Sequence, residues 1–344
     1  MAREVRAIWA TIVCFLVGAA AGTVVLWGNP RPIAGDGSVG LPVAFIAGTV
    51  AAASFVVSTF LHRRGEHARM PRWQIFISAS SAIALTIAFA GVTALGVLLA
   101  GEVLGVGLQG LELPALGGGI ITGVASAVGG RLTFGAGIGL RTADLATLLF
   151  SYLMIGTLFA MLTAADPRWW EQNFSRLGSG DQAWAFNGTL VVAGVIAGTV
   201  GSYIARDLHR IRGDAWFGRI ALVAGLWALT GIALAGVGLF PAEQIIAVHN
   251  VFAVGTLVLF VASGVATTAV MPGPPRALTW TTVGIALLLV FSFVLTDTFH
   301  LFTVTVLEAV AIGLGLLWLT TLVRILAVLV PDGSRPSERH LLHA

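Results

Sequence analysis

The feature that most constrains this chain is a recurrence of apolar runs, each roughly 20 residues long and divided from the next by a short polar break. A helix rises about 1.5 Å per residue, so a run of that length crosses the roughly 30 Å of hydrocarbon in a bilayer. Inside lipid every backbone N–H and C=O must find its partner within the protein, which makes such runs helical. Hydrophobic residues make up 57% of the 344 and charged residues only 10%; a soluble domain carries about 25% charged residues. The fold class is therefore all-α, a polytopic transmembrane helix bundle.

Ten spans can be read: Ala7 to Trp27, Leu41 to Leu61, Trp73 to Ala100, Leu113 to Gly130, Thr142 to Ala164, Ala183 to Ala205, Phe217 to Phe240, Glu243 to Val270, Ala277 to Leu295 and Phe299 to Val330. No small-x-small cleavage site precedes Trp27-Gly28-Asn29-Pro30, so the first run is read as a retained signal anchor. The fourth is the weakest. It contains Gly117-Gly118-Gly119 and Gly129-Gly130, and glycine is a poor helix former. A broken or re-entrant segment is the alternative there.

The arginines choose between these readings. All 19 basic residues are Arg. With ten crossings and a cytoplasmic N-terminus, sixteen fall on the cytoplasmic side: Arg3, Arg6, Arg63, Arg64, Arg69, Arg72, Arg131, Arg141, Arg206, Arg210, Arg212, Arg219, Arg276, Arg324, Arg335 and Arg339. Only Arg31, Arg168 and Arg176 fall outside. That asymmetry is the positive-inside pattern, and it collapses if the fourth segment fails to cross. Both termini are thus expected in the cytoplasm. The organisation expected is a four-span module over 1–141, a six-span module over 142–330 and a disordered cytoplasmic tail over 331–344. A net charge of +3 distributed this way is a topology signal and gives no reason to expect nucleic acid as a partner.

Short echoes between the halves suggest a parallel duplication. Ile87-Ala88-Phe89-Ala90-Gly91-Val92 resembles Ile232-Ala233-Leu234-Ala235-Gly236-Val237, and Ala44-Phe45 and Ala185-Phe186 both precede a Gly-Thr pair. Chance similarity between apolar helices is the competing account. Gly194 and Gly198 form a GxxxG pair, a spacing that permits close helix approach without saying which helix approaches.

Several chemistries are excluded or unsupported. Cys14 is the only cysteine, so neither an intrachain disulfide nor a thiolate cluster can form. The glycines from Gly135 to Gly139 lack a Walker lysine, and with no ATPase motif this chain alone cannot drive primary transport. No HExxH, HxxxH or paired-cysteine pattern points to a metal, and no cofactor is implied.

The longest polar interruption of the last two thirds is Asp166 to Asn187, DPRWWEQNFSRLGSGDQAWAFN. The arginine count places it outside the cytoplasm. Asp166, Trp169, Trp170, Ser175 and Asn187 are its candidate site residues. The tryptophans also suit an interfacial aromatic belt. Ser175 lacks a Gly-x-Ser-x-Gly setting and is not read as a nucleophile. Ionisable residues in spans are costly and so are functional candidates. His249 lies about two turns into the eighth span. Asp297 and His300, three apart at the top of the tenth, are expected to share a helix face, with Thr296-Asp297 as its N-cap. Glu308, eight residues beyond His300, is expected about 12 Å deeper. On the cytoplasmic side, Asp144 suits the first turn of the fifth helix, and Asp207 is expected to be a solvated loop charge.

Phe174-Ser175-Arg176-Leu177-Gly178 and Phe186-Asn187, together with His249-Asn250, resemble a bacterial integral-membrane family, domain of unknown function 998. That family is similar to the six-span Frag/DRAM/Sfk-type proteins. The resemblance covers residues 142–330. It implies six spans with a Ser-x-x-Gly element ahead of a Phe-Asn that opens the next helix. Through relatives linked to lipid remodelling, it implies a lipid-facing role at the bacterial plasma (inner) membrane.

The function expected is a multi-pass inner-membrane protein that binds or handles a lipid or envelope component at the outer leaflet. One alternative is a proton-coupled secondary transporter using Glu308 and His300. Another is an intramembrane metal-dependent hydrolase using His249, Asp297 and His300. Membrane lipid is the expected partner, with a membrane-protein partner or a homo-oligomer also open.

Overall fold

The computed structural model describes residues 2–63, 72–271, 273 and 276–329. Among them ten helices are long and apolar enough to cross a membrane: α1 (Ala2–Val25), α2 (Gly40–Arg63), α3 (Arg72–Gly107), α4 (Ala115–Ile138), α5 (Thr142–Leu162), α6 (Ala183–Arg212), α7 (Phe217–Leu239), α8 (Ile246–Val270), α9 (Arg276–Asp297) and α10 (Val304–Leu329). The tail over 331–344 lies outside the described residues. The chain forms two compact units, Met1–Leu140 with Met154–Leu162, and Arg141–Leu153 with Thr163–Ala344.

In the first unit α4 is the central helix, continuous from Ala115 to Ile138. The break that its glycines suggested does not occur. The physical reason is close packing on two sides, in a setting where unbonded backbone is costly. Along α1 its partners recur in four-residue steps, running antiparallel: Cys14 meets Gly130, Gly18 meets Ser126, Gly22 meets Thr122 and Leu26 meets Gly118. At each level at least one side is glycine, so the backbones approach closely. A methyl at Gly123 would sit 3.0 Å from the Phe15 carbonyl oxygen.

Hydroxyl bonds hold α2 to α4. Ser54 Oγ donates to the Gly130 carbonyl at 2.7 Å, Ser58 Oγ to the Phe134 carbonyl at 2.6 Å, and Thr133 Oγ1 to the Ala51 carbonyl at 2.9 Å. The Ser54 and Ser58 partners advance together along both chains, so α2 and α4 run parallel. Since α1 runs the other way, α4 traverses the unit in the direction a fourth crossing requires. A two-residue antiparallel ladder, Arg31–Pro32 against Glu112–Leu113, links the two loops at one end.

In the second unit α6 and α7 cross at glycine. A methyl on Gly194 would lie 2.6 Å from the Ala235 nitrogen, and one on Gly231 would lie 2.9 Å from the Gly198 nitrogen. The Gly194–Gly198 pair is thus used within the chain. Deeper in, Trp227 and Trp318 are stacked at 6.1 Å, with Phe260 edge-on to both. Their ring N–H groups donate to Thr267 and Thr282 at 3.2 and 2.9 Å. A buried indole needs such a partner, and threonine hydroxyls on neighbouring helices supply it. The helix pairings also differ between the units: α4 packs on α1 and α2, whereas α8 packs on α7.

The arginine-rich end of this unit is built into the fold. Asp207, read from the sequence as a solvated loop charge, is instead 7% exposed within α6. It accepts a hydrogen bond from Thr142 and lies near Arg206 and Arg210. Arg212 donates to the carbonyls of Val270 and Met271, closing the last turn of α8. Asp144 accepts from the Arg141 N–H at 2.9 Å, capping α5 as its position suggested.

Candidate functional site

At the opposite end of the second unit, the stretch from α5 to α6 folds into two short 3-10 turns, Trp169–Glu171 and Phe174–Gly178. Asp166 starts the first. Its Oδ1 accepts from the Arg168 N–H at 2.9 Å, an Asx turn on the exposed surface. Asn173 starts the second by accepting from the Arg176 N–H at 3.2 Å. The rings of Trp169 and Phe174 pack at 5.1 Å and join the two turns.

Three helices hold this loop from below. α10 takes it at two points three residues apart, hence on one helix face. Thr305 Oγ1 donates to the Trp170 carbonyl at 2.8 Å, and Glu308 Oε2 accepts from the Phe174 N–H at 2.7 Å. The second bond answers a local need, because the first N–H groups of a helical turn have no acceptor within it. From α6, Asn187 Nδ2 donates to the Gly178 carbonyl at 3.1 Å. From α8, His249 Nε2 lies 2.8 Å from Ser175 Oγ.

The other ring nitrogen fixes how that last pair is arranged. His249 Nδ1 is 2.9 Å from the carbonyl of Phe240, the residue that ends α7. A carbonyl only accepts, so Nδ1 carries the ring proton. In the tautomer with the proton on Nδ1 the lone pair is on Nε2, where it accepts from the Ser175 hydroxyl. His249 is 4% exposed, whereas Ser175 is half-buried. Ser175 as a residue is thus the more open member of the pair.

Two expected members are elsewhere. α10 starts at Val304, five residues later than the sequence suggested, and α9 runs on to Asp297. Asp297 is thus the exposed last residue of α9 and caps nothing on α10. His300 lies in the connection, exposed and in the left-handed region at φ 53°. The two do not share a helix face. Among the described residues no hydrogen bond ties either to His249 or Glu308, and no group of three or more His, Cys, Asp or Glu is placed to hold a metal ion. Glu308 sits in the second turn of α10, so it is shallower than expected, and Glu243 lies in the turn before α8. Sequence reasoning missed Asn173, Thr305 and the Phe240 carbonyl. Thr305 alone left a signal, its three-residue spacing from Glu308.

These features define a multi-pass helical membrane protein whose second unit carries a polar loop fastened to its helix ends. A family model described as "Protein of unknown function (DUF998)" matches residues 145–325, a little over half of the chain. The chain belongs to that family, and Ser175, Gly178, Asn187, His249 and Glu308 all lie inside the matched segment. Neither a curated protein nor a solved structure matches the chain.

Proposed function

We propose that this protein binds or handles an amphipathic envelope component, a lipid above all, at the outer leaflet of the bacterial inner membrane. The observation that carries the reading is a pair of exposed indoles at the helix ends, Trp170 on the fastened loop and Trp184 in the first turn of α6. Trp170 is 55% exposed although its own carbonyl is bonded to Thr305, and Trp184 is 47% exposed with its N–H donated to Gln182 at 3.0 Å. Exposed Phe299 and Leu301 add apolar surface at the same end of the unit. Indole rings suit the headgroup level because they offer an apolar body and a polar N–H together. The arginine asymmetry supports the outer leaflet. The partner is then membrane lipid.

The test is native mass spectrometry of protein released from nanodiscs of mixed phospholipids. Wild type is expected to retain lipid, and the Trp170→Ala/Trp184→Ala double variant to lose most of it while inserting normally. Equal retention by both would overturn the reading.

One observation favours a second reading. Glu308 is a half-buried acid within a candidate span and bonds the loop backbone. A proton-coupled transporter would use such a group, and its flux would be abolished by Glu308→Gln. The metal-dependent hydrolase has no comparable support, because His249, Asp297 and His300 are not brought together.

A further inference from the structure

Resting on the lipid-handling reading, we infer that Ser175 and His249 are a nucleophile and base that transfer acyl groups from an ester, with a membrane acyl ester as donor. The inference stands on three features. The serine hydroxyl and the imidazole lone pair are within proton-transfer distance, at 2.8 Å. A third group, the Phe240 carbonyl, fixes the ring tautomer that makes Nε2 the acceptor. This is the role a carboxylate fills in the familiar serine triads. Burial is graded the right way for a nucleophile, with His249 enclosed and Ser175 partly open.

A purely structural serine needs only an acceptor for its hydroxyl. Here the loop already has three other attachments, through Trp170, Phe174 and Gly178. The Ser175–His249 bond is also the only one of the four that joins two side chains with acid–base and nucleophilic chemistry.

The step balances without a further reagent. Ser175 Oγ forms a bond to the ester carbonyl carbon as its proton passes to His249 Nε2. The ester C–O bond then breaks, and the leaving alkoxide takes that proton and departs as an alcohol, giving an acyl-serine. An acceptor hydroxyl, from water or a second alcohol, gives its proton to Nε2 and attacks the acyl carbon. The C–Oγ bond breaks and Ser175 recovers its proton. The net reaction is hydrolysis or transesterification.

The experiment uses the full chain in nanodiscs with a fluorophosphonate probe, read by intact-mass and peptide mass spectrometry. One adduct per chain, on Ser175, is expected. Ser175→Ala should abolish it, and His249→Gln should slow it by about 100-fold or more. Ser175→Cys, made with Cys14→Ala, keeps a hydrogen-bonding group at the position. It should instead be alkylated by iodoacetamide faster than the same protein carrying His249→Gln. Absence of a Ser175 adduct, or labelling and alkylation rates indifferent to His249, would overturn the inference. The same preparations report on lipid retention independently. Retained lipid without an adduct removes the acyl-transfer inference alone, and an adduct without retained lipid removes the lipid-binding reading.

Discussion

Asn187 and Gly178 fit each other as a pair: the Asn187 amide nitrogen donates to the Gly178 carbonyl at 3.1 Å, while its amide oxygen fills the space a Cβ at position 178 would occupy. α6 starts at Ala183, ahead of the Phe-Asn pair, and the separation of nine residues between the Gly-ending turn and Asn187 in the second turn of α6 thus has a physical cause. Asn187→Ala is expected to cost about 1 kcal/mol by removing the bond. Gly178→Ala should cost a similar amount by displacing the amide, and the double variant should cost less than both combined. A double-mutant cycle on detergent-solubilised protein measures this. Strict additivity would show that the two do not act as a unit.

The α6–α7 crossing predicts opposite outcomes for two glycines on one helix. Gly194 faces backbone atoms of Gly231 and Ala235, which cannot give way as a side chain can. Gly194→Ala should destabilise by about 1–3 kcal/mol. At Gly188 an added methyl would meet no atom within 4 Å, so Gly188→Ala should be neutral or stabilising by up to about 1 kcal/mol. Thermal unfolding of both variants is the check.

The indole N–H of Trp318 depends on Thr282. Thr282→Val keeps the shape and removes the acceptor, leaving a buried donor unpaired in a water-free interior. A loss of about 1–2 kcal/mol is expected, with a change in tryptophan emission. Thr281, one residue away and only partly buried, donates to the Ala277 carbonyl of its own helix. Thr281→Val should stay within about 0.5 kcal/mol of wild type.

Glu308 fastens the loop through an oxygen that glutamine can also supply. Glu308→Gln should therefore leave hydrogen exchange over residues 166–182 near wild type, whereas Glu308→Ala should speed it at Phe174. Equal protection in the alanine variant would mean that this bond does not order the loop.

Much of the framework could be read in advance because a bilayer leaves few options. Segment length and backbone satisfaction act on the chain directly, so ten helices of crossing length, and the polar stretch between α5 and α6, emerge without tertiary detail. Fine placement did not follow. The connection between α9 and α10 extends past Phe299, and the left-handed turn at His300 separates Asp297 from α10. Spacing had put the two on one face because helix boundaries are the least determined part of such a reading. Asp207 was misread because its partner Thr142 lies 65 residues away.

By itself, then, the sequence determined the helix count, the helical class and the residues Phe174 to Gly178, Asn187, His249 and Glu308 as notable. Only the tertiary structure decided what each of them touches. Ser175 has no recognisable nucleophile motif, and its bond to His249 spans 74 residues. The imidazole is oriented by a main-chain carbonyl at the end of α7, an acceptor every residue carries and no residue type reveals. Local pattern reports what a segment must be in lipid; which groups meet depends on how separate helices end and pack.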